Sequence, residues 1–174
     1  MPKAFSEQEK EIIAGRLLEQ GYKQFSAYGL RKTNIEEIAR AAGISKGAFY
    51  LFYESKEALF MDVVEEIEER VRRELIEAVD LPGPSARARL YHVFKKAVEL
   101  FSSLPILQYI TSGDFELLFR RVPAKKLQDH LSSDHDFFND LIARCQKSGI
   151  PIKVEADQVL SLFYPLVMSI LHTE

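Results

Sequence analysis

The residues whose types and spacing point to chemistry lie between Thr33 and Lys56, in the stretch TNIEEIARAAGISKGAFYLFYESK. That chemistry is recognition, not bond-making. Two helices that cross closely need a small residue at their contact, and Ala39 supplies it. The turn between them needs a backbone position of positive φ, which glycine adopts with least strain, and Gly43 stands there. Ile38, Ala42, Ile44 and Phe49 are the apolar flanks, and Ser45 can cap the second helix. These features follow one another in the order a helix-turn-helix requires, over about residues 34–53. They leave the start of the second helix free to enter a DNA major groove.

Bond-making chemistry finds little support elsewhere. There is no Gly-rich phosphate loop, nucleophile elbow or metal-spaced His/Cys set, so neither an enzyme nor a cofactor is expected. His92, His130, His135 and His172 lack a spacing that argues for metal. His130 and His135 do cluster with Asp129, Asp134 and Asp136, but a solvated helix face is the better account, and no metal is expected. The single cysteine, Cys145, excludes an intrachain disulfide, fits a reducing compartment, and reads as an inert thiol.

The chain that must position the Thr33–Lys56 stretch has 174 residues, 47% of them apolar, enough for a real core. Its net charge of −3 is unevenly spread. Residues 1–60 carry nine Lys/Arg against eight Asp/Glu, and the remainder fourteen against eighteen. Residues 21–50 carry five against two, a local basic bias compatible with DNA binding. The N-terminus lacks a signal peptide's apolar core. The longest uncharged apolar-rich run, Val159 to Leu171, contains Pro165 and is too short to span a bilayer. A soluble, cytoplasmic protein is expected.

Apolar spacing predicts helices throughout, with no strand-like alternation, so the fold class is all-α. Helix 1 is expected over 6–27, with Ile13, Leu17, Leu18, Tyr22 and Phe25 as its stripe and Gly29 as its stop. Helix 2 is expected to follow Thr33 as N-cap, with Glu36 completing a capping-box pattern. Helix 3 should run from Lys46 to Phe52 or Tyr53, with Phe49 and Tyr53 inward. Helix 4 should run from after Ser55 to about Val79, with a stripe at 60, 63, 64, 67, 71 and 75. Pro82, Gly83 and Pro84 form a linker. Helix 5, from Ser85 to about Phe101, should bury Leu90, Phe94, Val98 and Phe101. Two short helices are expected between Ile106 and Val122. Pro123 should then start a long helix to about Lys147, with Leu127, Leu131, Phe137, Phe138, Leu141 and Ile142 on one face. A last helix should run from Glu155 to about His172, kinked at Pro165.

IEEIARAAGISKGAFYLFYESKEALF resembles the DNA-binding signature of the tetracycline-repressor (TetR) family of transcriptional regulators. The matching features are the Thr before helix 2, the Ile-Ala dipeptide, the Ala-Gly-Ile-Ser turn, the Lys-Gly-small-aromatic-Tyr helix and the Ser-Lys-Glu-x-Leu opening of helix 4. The close match covers about residues 10–62. It implies a DNA-binding domain over 1–54, joined by helix 4 to an effector-binding and dimerisation domain over 55–174. It also implies DNA-contact roles. Thr33 would meet a phosphate with its hydroxyl or amide, and Ser45 would open the recognition helix. Lys46 would donate to guanine O6/N7 or to a phosphate, Gly47 would admit the backbone closely, and Ala48 would touch a thymine methyl. Tyr50 and Lys56 match the family's phosphate-contacting tyrosine and lysine. Phe52 departs from the polar residue, often His, of many relatives. That contact is not carried over, and Phe52 is expected to pack against helix 1 or 4.

The same resemblance implies a homodimer on a palindromic double-stranded DNA operator, released when a small effector binds the C-terminal domain. Phe94, Phe101, Tyr109, Phe115, Phe119, Phe137, Phe138, Phe163 and Tyr164 are candidate pocket residues for an apolar or aromatic effector; plain core packing is the competing account for each. Dimerisation is expected on the last helix with the long one before it. Val159, Leu160, Leu162, Phe163, Leu166, Val167, Ile170 and Leu171 there exceed one buried stripe. The chain ends at Glu174, early for the family, so this interface is expected to be incomplete if a further helix follows. The alternative reading is an effector-independent helical protein that binds DNA or a partner.

Overall fold

The computed structural model describes residues 5–106 and 112–171. Eight α-helices and no strand occur among them: α1 (Glu7–Lys32), α2 (Ile35–Ala41), α3 (Lys46–Phe49), α4 (Lys56–Asp80), α5 (Ala86–Ser102), α6 (Ser112–Arg121), α7 (Ala124–Lys147) and α8 (Ala156–Leu171). No described helix is long and apolar enough to cross a membrane. Two compact units result, Met1–Glu65 with Pro105–Val122, and Glu66–Leu104 with Pro123–Glu174.

In the first unit, Ser6 and Glu9 close a capping box at the start of α1. The Ser6 hydroxyl accepts from the Glu9 amide at 3.2 Å, and the Glu9 carboxylate accepts from the Ser6 amide at 2.7 Å. Ile13, Leu17 and Phe25 of α1 are buried, as the helical spacing predicts. Phe25 meets Phe60 of α4 edge-on, with centroids 5.1 Å apart. Gly21 lets α1 approach α4 closely. A Cβ there would stand 3.1 Å from the Leu59 side chain and 3.3 Å from that of Val63. Gly29 breaks the helical path at φ 72, ψ 171, and a short turn carries the chain on to Lys32.

Thr33 is not the cap of α2. Asn34 is, its side-chain oxygen accepting from the Glu36 amide at 2.9 Å. Thr33 instead ends α1, is 4% exposed, and donates its hydroxyl to the Gly29 carbonyl at 2.7 Å. The positive φ at Gly29 turns that carbonyl toward the threonine. The capping pattern is ambiguous because Thr33 and Asn34 are both good caps in adjacent positions. Helix α3 is likewise shorter than predicted. Beyond Phe49 the chain continues in turns, with Phe52 and Tyr53 amides on the Phe49 carbonyl at 2.9 and 3.0 Å. Phe52 lies against Phe5, centroids 6.0 Å apart.

The second unit has a core of Ala78, Val79, Val93, Cys145 and Ile150, covered by Ala86, Leu90, Leu141 and Ile152. Burial pushes the Cys145 thiol pKa up, so it is held as the unreactive thiol. Gly149, at φ 77, ends α7, and Arg89 donates to the Ser148 carbonyl at 2.6 Å there.

Helix α5 turns a different face inward from the one expected. Phe94 and Val98 are 64% and 65% exposed, whereas Val93 and Leu100 are buried. Its sequence carries two apolar stripes, 90/93/97/100 and 91/94/98/101, and period alone does not choose between them. The predicted α7 face is also incomplete. Leu131 is exposed, and Asp134 is buried where a solvated face was expected.

Candidate nucleic-acid interface

The geometry of the α2–α3 pair follows from its turn. Ala39 is fully buried at the crossing, as are Ile38 and Phe49. Gly43 has φ 82, so an L-residue there would be strained whatever the space around it. The Ile44 amide donates to the Ala39 carbonyl at 2.9 Å and the Gly43 amide to the Arg40 carbonyl at 3.1 Å. That pair of bonds is the Schellman closure of a helix by a left-handed glycine. Ser45 then caps α3, its hydroxyl accepting from the Ala48 amide at 3.2 Å.

This turn leaves Ser45, Lys46, Gly47 and Tyr50 exposed, and Ala48 half-buried. A Cβ added at Gly47 would meet nothing nearer than the Ser45 hydroxyl, 3.9 Å away. The fold itself therefore does not need glycine at 47. The Tyr50 ring stands edge-on to the buried Phe49, 5.5 Å away, which steadies a half-exposed side chain. Exposed cations nearby in sequence are Arg31, Lys32, Arg40 and Lys46.

Thr33 and Lys56 belong to one junction. The Lys56 amine donates to the Arg31 carbonyl at 2.9 Å and to the Thr33 carbonyl at 3.0 Å. Arg31 in turn reaches from α1 to Asp114 of α6 at 3.0 Å, where the carboxylate is 3% exposed. Sequence reasoning missed Asn34, Arg31 and Asp114. Asn34 was legible as a cap; the pairing of residues 31 and 114 carried no local signal.

Of the pocket candidates, Phe101, Phe163, Phe138 and Phe137 form one aromatic row in the second unit, with successive centroids 5.5, 5.4 and 5.3 Å apart. Phe94 stands apart from that row, exposed on α5. Tyr109 lies outside the described residues, as do the side chains of Phe115, Phe119 and Tyr164. At the Phe137 end, the Arg72 guanidinium lies 5.4 Å from the ring centroid. It donates to Asp134 at 2.6 Å and Ser133 at 2.6 Å. Glu68, His130 and Asp134 offer ligand atoms within 4.8 Å of one another, but Arg72 already supplies positive charge there. Burial is the main cause that lowers the His130 pKa, opposed by the Asp134 charge.

A buried small residue, a left-handed glycine, a capping serine and an outward basic turn define a helix-turn-helix protein of all-α fold. Residues 17–63 match the family described as bacterial regulatory proteins, tetR family. That match covers the stretch from α1 to α4 that carries the helix-turn-helix. The chain is 36% identical over 58 residues to the uncharacterized HTH-type transcriptional regulator YdgC of Bacillus subtilis (strain 168), covering 33% of this chain and 30% of that one. It is 31% identical over 97 residues to the HTH-type transcriptional regulator AcrR of Shigella flexneri, covering 53% of this chain and 45% of that one. The matched stretch thus spans less than half the length of either relative. Among solved structures, it resembles the fatty acid degradation regulator FadR of Bacillus halodurans, with a TM-score of 0.65 at 14% identity, covering 97% and 84% of the two chains. It also resembles SmeT, the repressor of the Stenotrophomonas maltophilia multidrug efflux pump SmeDEF, with a TM-score of 0.54 at 17% identity, covering 91% and 76%. At these identities the likeness is one of fold.

Proposed function

We propose that this protein is a DNA-binding transcriptional regulator, a homodimeric repressor on a palindromic operator. The observation that carries this reading is the outward turn at Lys46–Tyr50, built on the left-handed Gly43 and leaving Gly47 open to an approaching surface. Residues 1–54 would bind DNA and residues 55–174 would bind effector and dimerise. Lys46, Gly47 and Ala48 would face base edges, while Ser45 and Tyr50 would meet the backbone. Thr33 and Lys56 would then act mainly by holding the α1–α2 junction, since the hydroxyl and the amine are already engaged with carbonyls. A small apolar or aromatic effector in the second unit would release the operator, and the Phe101–Phe163–Phe138–Phe137 row supports that choice of chemistry.

Selection of bound duplexes from a random DNA pool tests the reading. A palindromic product with half-sites about one helical turn apart is expected. Recovery of no preferred duplex would sink it. Sedimentation should give a dimer of the 20.0 kDa chain at micromolar concentration; a monomer alone would remove the two-half-site mechanism.

A further inference from the structure

Leu51 is 75% exposed, the most exposed large apolar side chain among the described residues. It follows Tyr50 directly and lies four positions from Gly47, in a turn closed by its amide on the Ala48 carbonyl at 3.1 Å. Gly47, Tyr50 and Leu51 are all exposed around this turn, while Phe49 is buried. Ala48, the residue expected to touch a thymine methyl, is half-buried. We propose that Leu51 is a specificity-determining residue that reads a thymine by its C5-methyl group. This rests on the DNA-binding reading above. The occupant follows from chemistry: in the major groove, the thymine methyl is the apolar group among otherwise polar base edges. A leucine continuous with a turn aimed at those edges has no hydrogen bond to offer and gains only by covering that methyl. Tyr50, steadied by Phe49, then holds the register in which Leu51 meets the base.

The test uses the duplex recovered by selection, with each thymine replaced in turn by deoxyuridine, which deletes only the methyl. Kd is measured at one fixed salt concentration for wild type and for Leu51→Ala. One thymine per half-site should stand out for wild type, its loss costing about fourfold in Kd, the value of one buried methyl. Leu51→Ala should be indifferent to that replacement while melting as wild type does, because the side chain is in water. A methyl effect of equal size in both proteins overturns the proposal and assigns the methyl to Ala48. So does the absence of any sensitive thymine, or a Leu51→Ala loss equal on every duplex, which would mean contact with sugar only. If wild type recovers no preferred duplex, the DNA-binding reading itself fails, an outcome distinct from all three.

Discussion

Lys56 Nζ donates to the Thr33 carbonyl at 3.0 Å, joining the first residue of α4 to the last peptide before α2. With the Arg31 carbonyl at 2.9 Å, the same amine closes the C-terminal end of α1. The lysine is thus a structural clasp in the free chain. Lys56→Met should lower stability by about 1–2 kcal/mol, the worth of such charge-assisted bonds at a half-buried site. Urea unfolding without DNA measures it; an unchanged midpoint would return Lys56 to a purely phosphate-contacting role.

The two glycines of the motif should respond oppositely. Gly43→Ala forces an L-residue to φ near +82 and should cost about 1–2 kcal/mol of stability. Gly47→Ala meets only the Ser45 hydroxyl at 3.9 Å and should leave stability unchanged or higher by up to about 1 kcal/mol. It should nonetheless weaken operator binding, since the added methyl stands on the open side. Thermal melts beside DNA titrations separate the two effects.

Tyr50→Phe removes a hydroxyl and keeps the ring packed on Phe49. Melting should not change. Binding should weaken on every duplex alike, by about 1 kcal/mol, as expected for a lost phosphate hydrogen bond. A loss confined to particular sequences would mean that Tyr50 reads bases.

Arg31 and Asp114 lie 83 positions apart and pair at 3.0 Å, with the acid buried and the arginine largely in water. Removing the arginine takes one charged partner away from a buried carboxylate. Arg31→Ala should therefore cost more than Asp114→Asn, which removes the charge along with its need, and the first loss should be about 2 kcal/mol after allowance for the exposed partner. A double-mutant cycle on unfolding free energies reads the coupling; zero coupling would show that the pair is incidental.

His130 has its pKa lowered by burial, with Glu68 Oε2 at 3.5 Å, Asp134 Oδ2 at 3.9 Å and Arg72 beside them. The folded chain therefore takes up the proton less readily than the unfolded one. Stability from this group is full above about pH 6.5, the ordinary histidine value, and declines as pH falls below it. Melting temperature should drop between pH 7.5 and 5.5 by more in wild type than in His130→Gln. Equal drops would place the titration elsewhere.

Much of the molecule was legible because its determinants are local. Gly43 announces a left-handed turn through its own lack of Cβ, Ser45 a cap, and Ala39 a close crossing; the apolar periods of α1 and α4 give their buried faces directly. The family signature over these residues has the same local origin. Spacing could not tell which of two adjacent caps starts α2, since Thr33 and Asn34 compete on equal terms until Gly29 turns its carbonyl toward the Thr33 hydroxyl. Nor could it choose between two apolar stripes on α5, or foresee that Arg72 would draw Asp134 inward. An all-α chain with a helix-turn-helix follows from residue order alone, because caps, glycine turns and helical period act within a few residues. Which side chains are free to meet a partner was decided by packing: Thr33 and Lys56 are engaged at a junction, Leu51 stands in water, and Arg31 finds an acid far along the chain. Those outcomes depend on what the fold brings alongside each residue, and no local spacing carries that information.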